Sequence, residues 1–149
     1  MDKKVILVSG ASSGLGLAVT NHLVLTGHVV YAAARSYKVE SVEMKEKSGN
    51  GILKKVYLDV TDNAGIDNLI QKIIRQEGKL DVLVNCAACL VLGSVEDTGV
   101  QEYRQVMETN FIGTLNMCKS VLPVMREQKN GMIINFSSIN GAMGIPFQS

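Results

Sequence analysis

A chain of 149 residues with 46% hydrophobic and 19% charged side chains has the composition of an ordered domain with a real core, which excludes a disordered tract. A net charge of +1, with Lys and Arg dispersed along the chain, excludes the electrostatic footprint of a nucleic-acid or anionic-membrane partner. No window reaches the roughly 18 consecutive apolar residues of a membrane span, and the run Val5 to Val8 is too short for a signal peptide, so the expected compartment is the cytoplasm.

Along the chain, short β-branched runs alternate with stretches of helical spacing, which predicts an α/β fold with a parallel sheet covered by helices. Val5 to Ser9 is the first strand. Leu15 to Thr26 is the first helix, with Leu15, Ala18, Val19, His22, Leu23 and Thr26 expected on one face and Gly27 as its stop. Val29 to Ala33 is the second strand. Val39 to Lys47 is charged on most faces and reads as a solvated helix closed by Ser48-Gly-Asn-Gly51. Lys55 to Val60 makes a third strand, and Thr61 is placed to cap a helix carrying Ile66, Leu69, Ile70, Ile73 and Ile74 at i, i+3, i+4, i+7 and i+8. Val82 to Asn85 is a fourth strand, a long helical region runs from about Val100 to Met125, and Met132 to Phe136 is a fifth strand. With no linker or second unit in view, residues 1–149 read as one domain.

The turn from the first strand into the first helix, Ser9-Gly-Ala-Ser-Ser-Gly-Leu-Gly16, is nearly bare of side chains. In a Rossmann-type doubly wound sheet this turn binds phosphates, because the helix's leading N–H groups lack intrahelical partners and sit at the positive end of the macrodipole. Gly10, Gly14 and Gly16 clear the approach, with Ser12, Ser13 and Leu15 between them. A P-loop is excluded because no Lys-Ser or Lys-Thr follows the last glycine. Cys86 and Cys89 form a C-x-x-C, but too few further ligands exist for a structural zinc site, so they read as small apolar residues and no metal is expected. His22 and His28 have no acidic partner fixed by spacing and read as structural.

In order and spacing these motifs resemble the short-chain dehydrogenase/reductase family, of the classical type, over the whole chain. That family carries T-G-x-x-x-G-x-G after its first strand, matched here with Ser9 for Thr. An Asp-Val pair after the third strand, which meets the adenine, is matched by Asp59-Val60. For N-N-A-G after the fourth strand, this chain has Asn85-Cys-Ala-Ala88, in which Ala88 adds a Cβ where backbone passes close to the cofactor. The resemblance implies cofactor contacts at Asn85 and Ala87, and catalytic roles for Asn110 and for Ser138 after the fifth strand. At the end of the second strand Ala34 stands where NAD-preferring members have an acid, and Arg35 and Ser36 suit a 2′-phosphate, so NADP is expected, with NAD possible.

What is implied is an oxidoreductase moving hydride between NADP(H) and a small-molecule alcohol or carbonyl substrate, assembled as a homo-oligomer, dimer or tetramer. The alternative is a nucleotide-binding protein without catalysis, for which this short chain is natural. The family's Y-x-x-x-K pair is absent: Tyr31, Tyr37, Tyr57 and Tyr103 are followed four residues on by Arg35, Ser41, Thr61 and Met107. The family's spacing puts the pair just past Ser149, so the chain reads as a C-terminally incomplete N-terminal portion. Such a portion is expected to associate or be marginally stable, and to be inactive alone.

Overall fold

Val5–Ser9 carries five residues without alternation and every one is buried, so this strand (β1) must be covered on both faces and flanked on both edges. The computed structural model, which describes residues 2–37, 44–48 and 50–147, gives it that position. It lies between β2 (Val29–Ala34) and β5 (Val82–Asn85) in a six-stranded sheet. The order is β3-β4-β2-β1-β5-β6, with β3 at Met44–Ser48, β4 at Gly51–Tyr57 and β6 at Met132–Asn135. All pairings are parallel except that of β3 with β4. Helix α1 (Gly14–Leu25) covers one face, over Ile6, Val8, Val30 and Val84. On the other face, α2 (Asn63–Glu77) and α4 (Gly113–Glu127) bury Ile66, Ile70, Ile73, Met117 and Val121 against Leu7, Tyr31 and Leu83. This is the expected Rossmann-type doubly wound sheet, and strand order reverses at β1, which opens a crevice at the carboxyl ends of β1 and β5.

Several expectations are corrected in detail. The solvated helix expected over Val39 to Lys47 lies partly outside the described residues, and from Met44 onward the chain is instead strand β3. Ser48 pairs with Gly51, and the Gly-Asn between them in sequence is a hairpin signal that the charged run obscured. The strand expected at Lys55 to Val60 begins earlier, as β4, which leaves Asp59 and Val60 in the loop beyond its end. Asp62, not Thr61, caps α2, its carboxylate accepting from the Gly65 N–H at 3.1 Å. Thr61 donates instead to Asp59.

Helix α1 turns a different face to the sheet from the one expected. Gly16, Thr20 and Val24 are its buried residues, while Leu15 is half exposed. The missing side chain at Gly16 decides this, because it lets the helix approach the turn more closely than any branched residue allows. The long region from Val100 is interrupted: α3 (Val100–Met107) passes through a π-helical turn, Glu108–Ile112, into α4. Such a turn re-aims side chains and is frequent at functional sites. At the sheet's edge, Met132 and Ile134 of β6 and Phe136 just after it are exposed.

Candidate functional site

From the end of β1 the chain turns through Gly10 into α1. Gly14 has φ +52°, and among the described residues no atom lies within 4 Å of where its Cβ would stand. At Gly16 a Cβ would stand 2.3 Å from the Gly10 carbonyl oxygen, so a side chain there would force the backbone of the turn to shift. Ser13 occupies the N-cap, yet its hydroxyl makes no capping bond, and no acidic residue sits in the helix's first turn. The first N–H groups of α1 are thus presented at its positive end with neither a capping side chain nor an acidic residue of their own turn competing for them.

These groups border a cleft of about 430 Å³. Ser9, Gly10 and Ser12 through Gly16 form one wall, and Ala33 through Ser36, at the end of β2, form another. Leu58, Asp59 and Val60 from the loop after β4, Cys86, Ala87 and Ala88 after β5, and Thr109 from the π-helical turn complete it. Arg35 and Ser36 are exposed beside buried Ala34, and both line this cleft. One Asp59 carboxylate oxygen is fixed by the Thr61 N–H at 3.0 Å and the Thr61 hydroxyl at 2.8 Å.

A second cleft, of about 420 Å³, shares Leu15, Cys86, Ala87 and Ala88 with the first and continues to Asn110, Thr114, Phe136, Ser137 and Ser138. Its geometry rests on a buried polar lattice. The Ser9 hydroxyl accepts from the N–H groups of Cys86 at 3.2 Å and Ala87 at 3.3 Å, which holds the loop after β5 against the glycine turn. Asn85, expected at the cofactor, is instead buried: its amide donates to the Asn135 side-chain oxygen at 2.8 Å and ties β5 to β6. It lines neither cleft.

Asn110 sits in the π-helical turn and pairs both ends of its amide with the backbone of one residue. Its oxygen accepts from the Cys89 N–H and its amide donates to the Cys89 carbonyl, both at 2.8 Å. The Thr114 hydroxyl meanwhile donates to the Asn110 carbonyl at 2.8 Å. Ser138 is exposed, and its hydroxyl accepts from the Asn140 N–H at 3.2 Å. Burial pushes the Cys86 thiol up from its ordinary value, so it stays protonated at neutral pH. The remaining expected residues, Gly10, Ser12, Ser13, Gly14, Leu15, Gly16, Arg35, Ser36, Asp59, Val60 and Ala87, all line the first cleft. The roles of Ser9, Thr114 and Asn135 were missed; only Ser9 carried a signal, as a polar residue ending an apolar strand.

A sequence model of the family described as short chain dehydrogenase matches residues 4–149. A 3-ketodihydrosphingosine reductase of Bacteroides thetaiotaomicron is 39% identical over 148 residues, which cover 99% of this chain and 52% of that protein. A short-chain dehydrogenase from Streptomyces avermitilis superposes with TM-score 0.83 at 31% identity, over 98% of this chain and 53% of that one. NADP-bound ElxO superposes with TM-score 0.86 at 29% identity, over 99% and 60%. The chain spans about half the length of the curated relatives it matches.

Proposed function

The chain belongs to the short chain dehydrogenase family, and from that premise we propose that residues 1–149 form one unit that binds NADP(H) for an oxidoreductase acting on an alcohol or carbonyl substrate. The observation that carries this reading is the uncapped, acid-free start of α1 opening onto the crevice where strand order reverses. Space beside Gly14 and the N–H groups of the first turn fit a pyrophosphate, with the Ser12 and Ser13 hydroxyls as further donors. Gly10 and Gly16 close the turn so tightly that the helix end stays at the cleft. Arg35 and Ser36 hold the 2′-phosphate, Asp59 and Val60 border the adenine, and Ala87 lies where the two clefts meet.

NADP(H) supplies or accepts the hydride. Ser138 lines the second cleft, where its hydroxyl would stabilise charge developing on the reacting oxygen. Asn110 acts as a positioning residue: by clamping Cys89 it holds the loop that separates the two clefts. No tyrosine among the 149 residues has lysine four positions on, so these residues alone are expected to bind without turnover. The exposed Phe111 and Leu115 on the helical region support assembly as a homo-oligomer, and three unpaired cysteines support a reducing, cytoplasmic setting.

Fluorescence titration with NADPH and NADH tests the reading. NADPH is expected to bind at least about tenfold tighter, and Arg35→Ala to remove most of that difference, since a charge-assisted phosphate contact contributes about 1.5–3 kcal/mol. Tighter NADH binding would overturn the NADP assignment, and absence of binding by either would overturn the proposal.

A further inference from the structure

Arg35 and Ser36 are the two central residues of a β-turn, closed where the Tyr37 N–H donates to the Ala34 carbonyl at 3.3 Å. Among the described residues no ion pair or hydrogen bond holds the exposed Arg35 side chain. Where its guanidinium stands therefore depends on how firmly the turn itself is held. Tyr37 holds it a second time, because its hydroxyl donates to the Ala11 carbonyl at 3.3 Å. Ala11 is fully buried in the glycine turn, between Gly10 and Ser12, and its own N–H donates to the Ala33 carbonyl at 3.1 Å. Both backbone polar groups of one residue in the glycine turn are thus engaged by the end of β2 and the turn that follows it.

The half-buried Tyr37 ring packs against the apolar cluster that includes Val8, Ala11 and Ala32, a contact that phenylalanine would make as well. The hydroxyl adds a bond between two walls of the first cleft, although Tyr37 lines neither cleft. A pyrophosphate at the glycine turn and a 2′-phosphate at Arg35 belong to one ligand, so the second is bound well only where the spacing of the two turns is set beforehand. We propose that Tyr37 is a positioning residue for cofactor selection, its hydroxyl fixing the Arg35–Ser36 turn against the glycine turn so that NADP(H) is gripped at both phosphates. NAD(H) lacks the 2′-phosphate and gains nothing from this bond. The proposal rests on the function proposed above.

The test is fluorescence titration of the full chain with NADPH and NADH, for wild type, Tyr37→Phe, Arg35→Ala and the double variant, with urea unfolding of each. Tyr37→Phe is expected to bind NADPH about fivefold more weakly, the worth of one net hydrogen bond, with NADH affinity within about twofold and the urea midpoint unmoved. In the Arg35→Ala background the same substitution should change NADPH affinity less than about twofold, since the guanidinium it positions is gone. Wild-type NADPH affinity in Tyr37→Phe overturns the proposal. Equal weakening for both cofactors, or the full loss repeated in the Arg35→Ala background, gives Tyr37 a purely structural role and also overturns it. Failure of the unsubstituted chain to bind NADPH, or its preference for NADH, overturns the underlying function and this inference with it.

Discussion

Alanine at Gly16 and alanine at Gly14 should separate what the glycine turn does for the fold from what it does for a ligand. A Cβ on Gly16 would stand 2.3 Å from the Gly10 carbonyl oxygen and 2.8 Å from its carbon. Gly10 cannot retreat, since it is itself packed on the Cys86 and Ala87 backbone, with room of 2.7 Å where a Cβ would go. Overpacking against backbone costs about 1–3 kcal/mol. The gain in helix propensity and the loss of unfolded-state freedom offset up to about 1 kcal/mol of this. Gly16→Ala should therefore lose about 1–2 kcal/mol in urea unfolding. At Gly14 the φ of +52° costs an L-residue about 1–2 kcal/mol, partly offset by about 0.4–1 kcal/mol from the unfolded chain. Its methyl, however, enters the space in front of the helix's N–H groups. Gly14→Ala should keep most of its stability and bind NADPH about tenfold more weakly, equivalent to ~1.4 kcal/mol. Urea unfolding and fluorescence titration report the two quantities separately. Wild-type stability in Gly16→Ala, or wild-type NADPH affinity in Gly14→Ala, would refute the reasoning.

Asp81 gives a pH dependence. Burial pushes its carboxyl up, but the Val5 N–H at 2.7 Å and the Lys79 ammonium at 2.9 Å, with Lys4, outweigh that and hold it below its ordinary 3.8. A group whose folded value lies below its unfolded one stabilises the fold above the unfolded value, and that stabilisation fades as pH falls through the folded value. Wild type should thus lose stability below about pH 4 more steeply than Asp81→Asn; parallel acid-unfolding curves would contradict this. Asn110→Ala leaves the Cys89 N–H and carbonyl without their partners and should cost about 1–3 kcal/mol in thermal or urea unfolding, and unchanged stability would remove the clamp. Iodoacetamide should label Cys86 more slowly than a free thiol, and more slowly still with NADPH, because the protonated thiol lines both clefts. Labelling followed by site-resolved mass spectrometry checks this, and a rate indifferent to NADPH would argue against the cleft as the dinucleotide site.

Features that depend on a few consecutive residues were legible without coordinates. The unalternating run Val5–Ser9 can only be a central strand, Ile66 through Ile74 can only be one face of a helix, and the glycines between β1 and α1 mark a turn bare of side chains, because backbone geometry is set locally. Arg35 and Ser36 could be read at the end of β2 for the same reason. The charged residues before Gly51 misled, since strand β3 is defined by its pairing with β4 and not by its own pattern. Periodicity likewise offered several stripes for α1, and the close contact of Gly16 with Gly10 selected one. The site's supports were invisible in principle: Asn110 and Cys89 are 21 residues apart, Asn85 and Asn135 are 50 apart, and Ser9 and Cys86 are 77 apart. A side-chain hydrogen bond has a reach of about 3 Å and no sequence period. Which polar residues line the clefts and which hold the frame was therefore decided when parallel strands brought distant segments to one edge of the sheet.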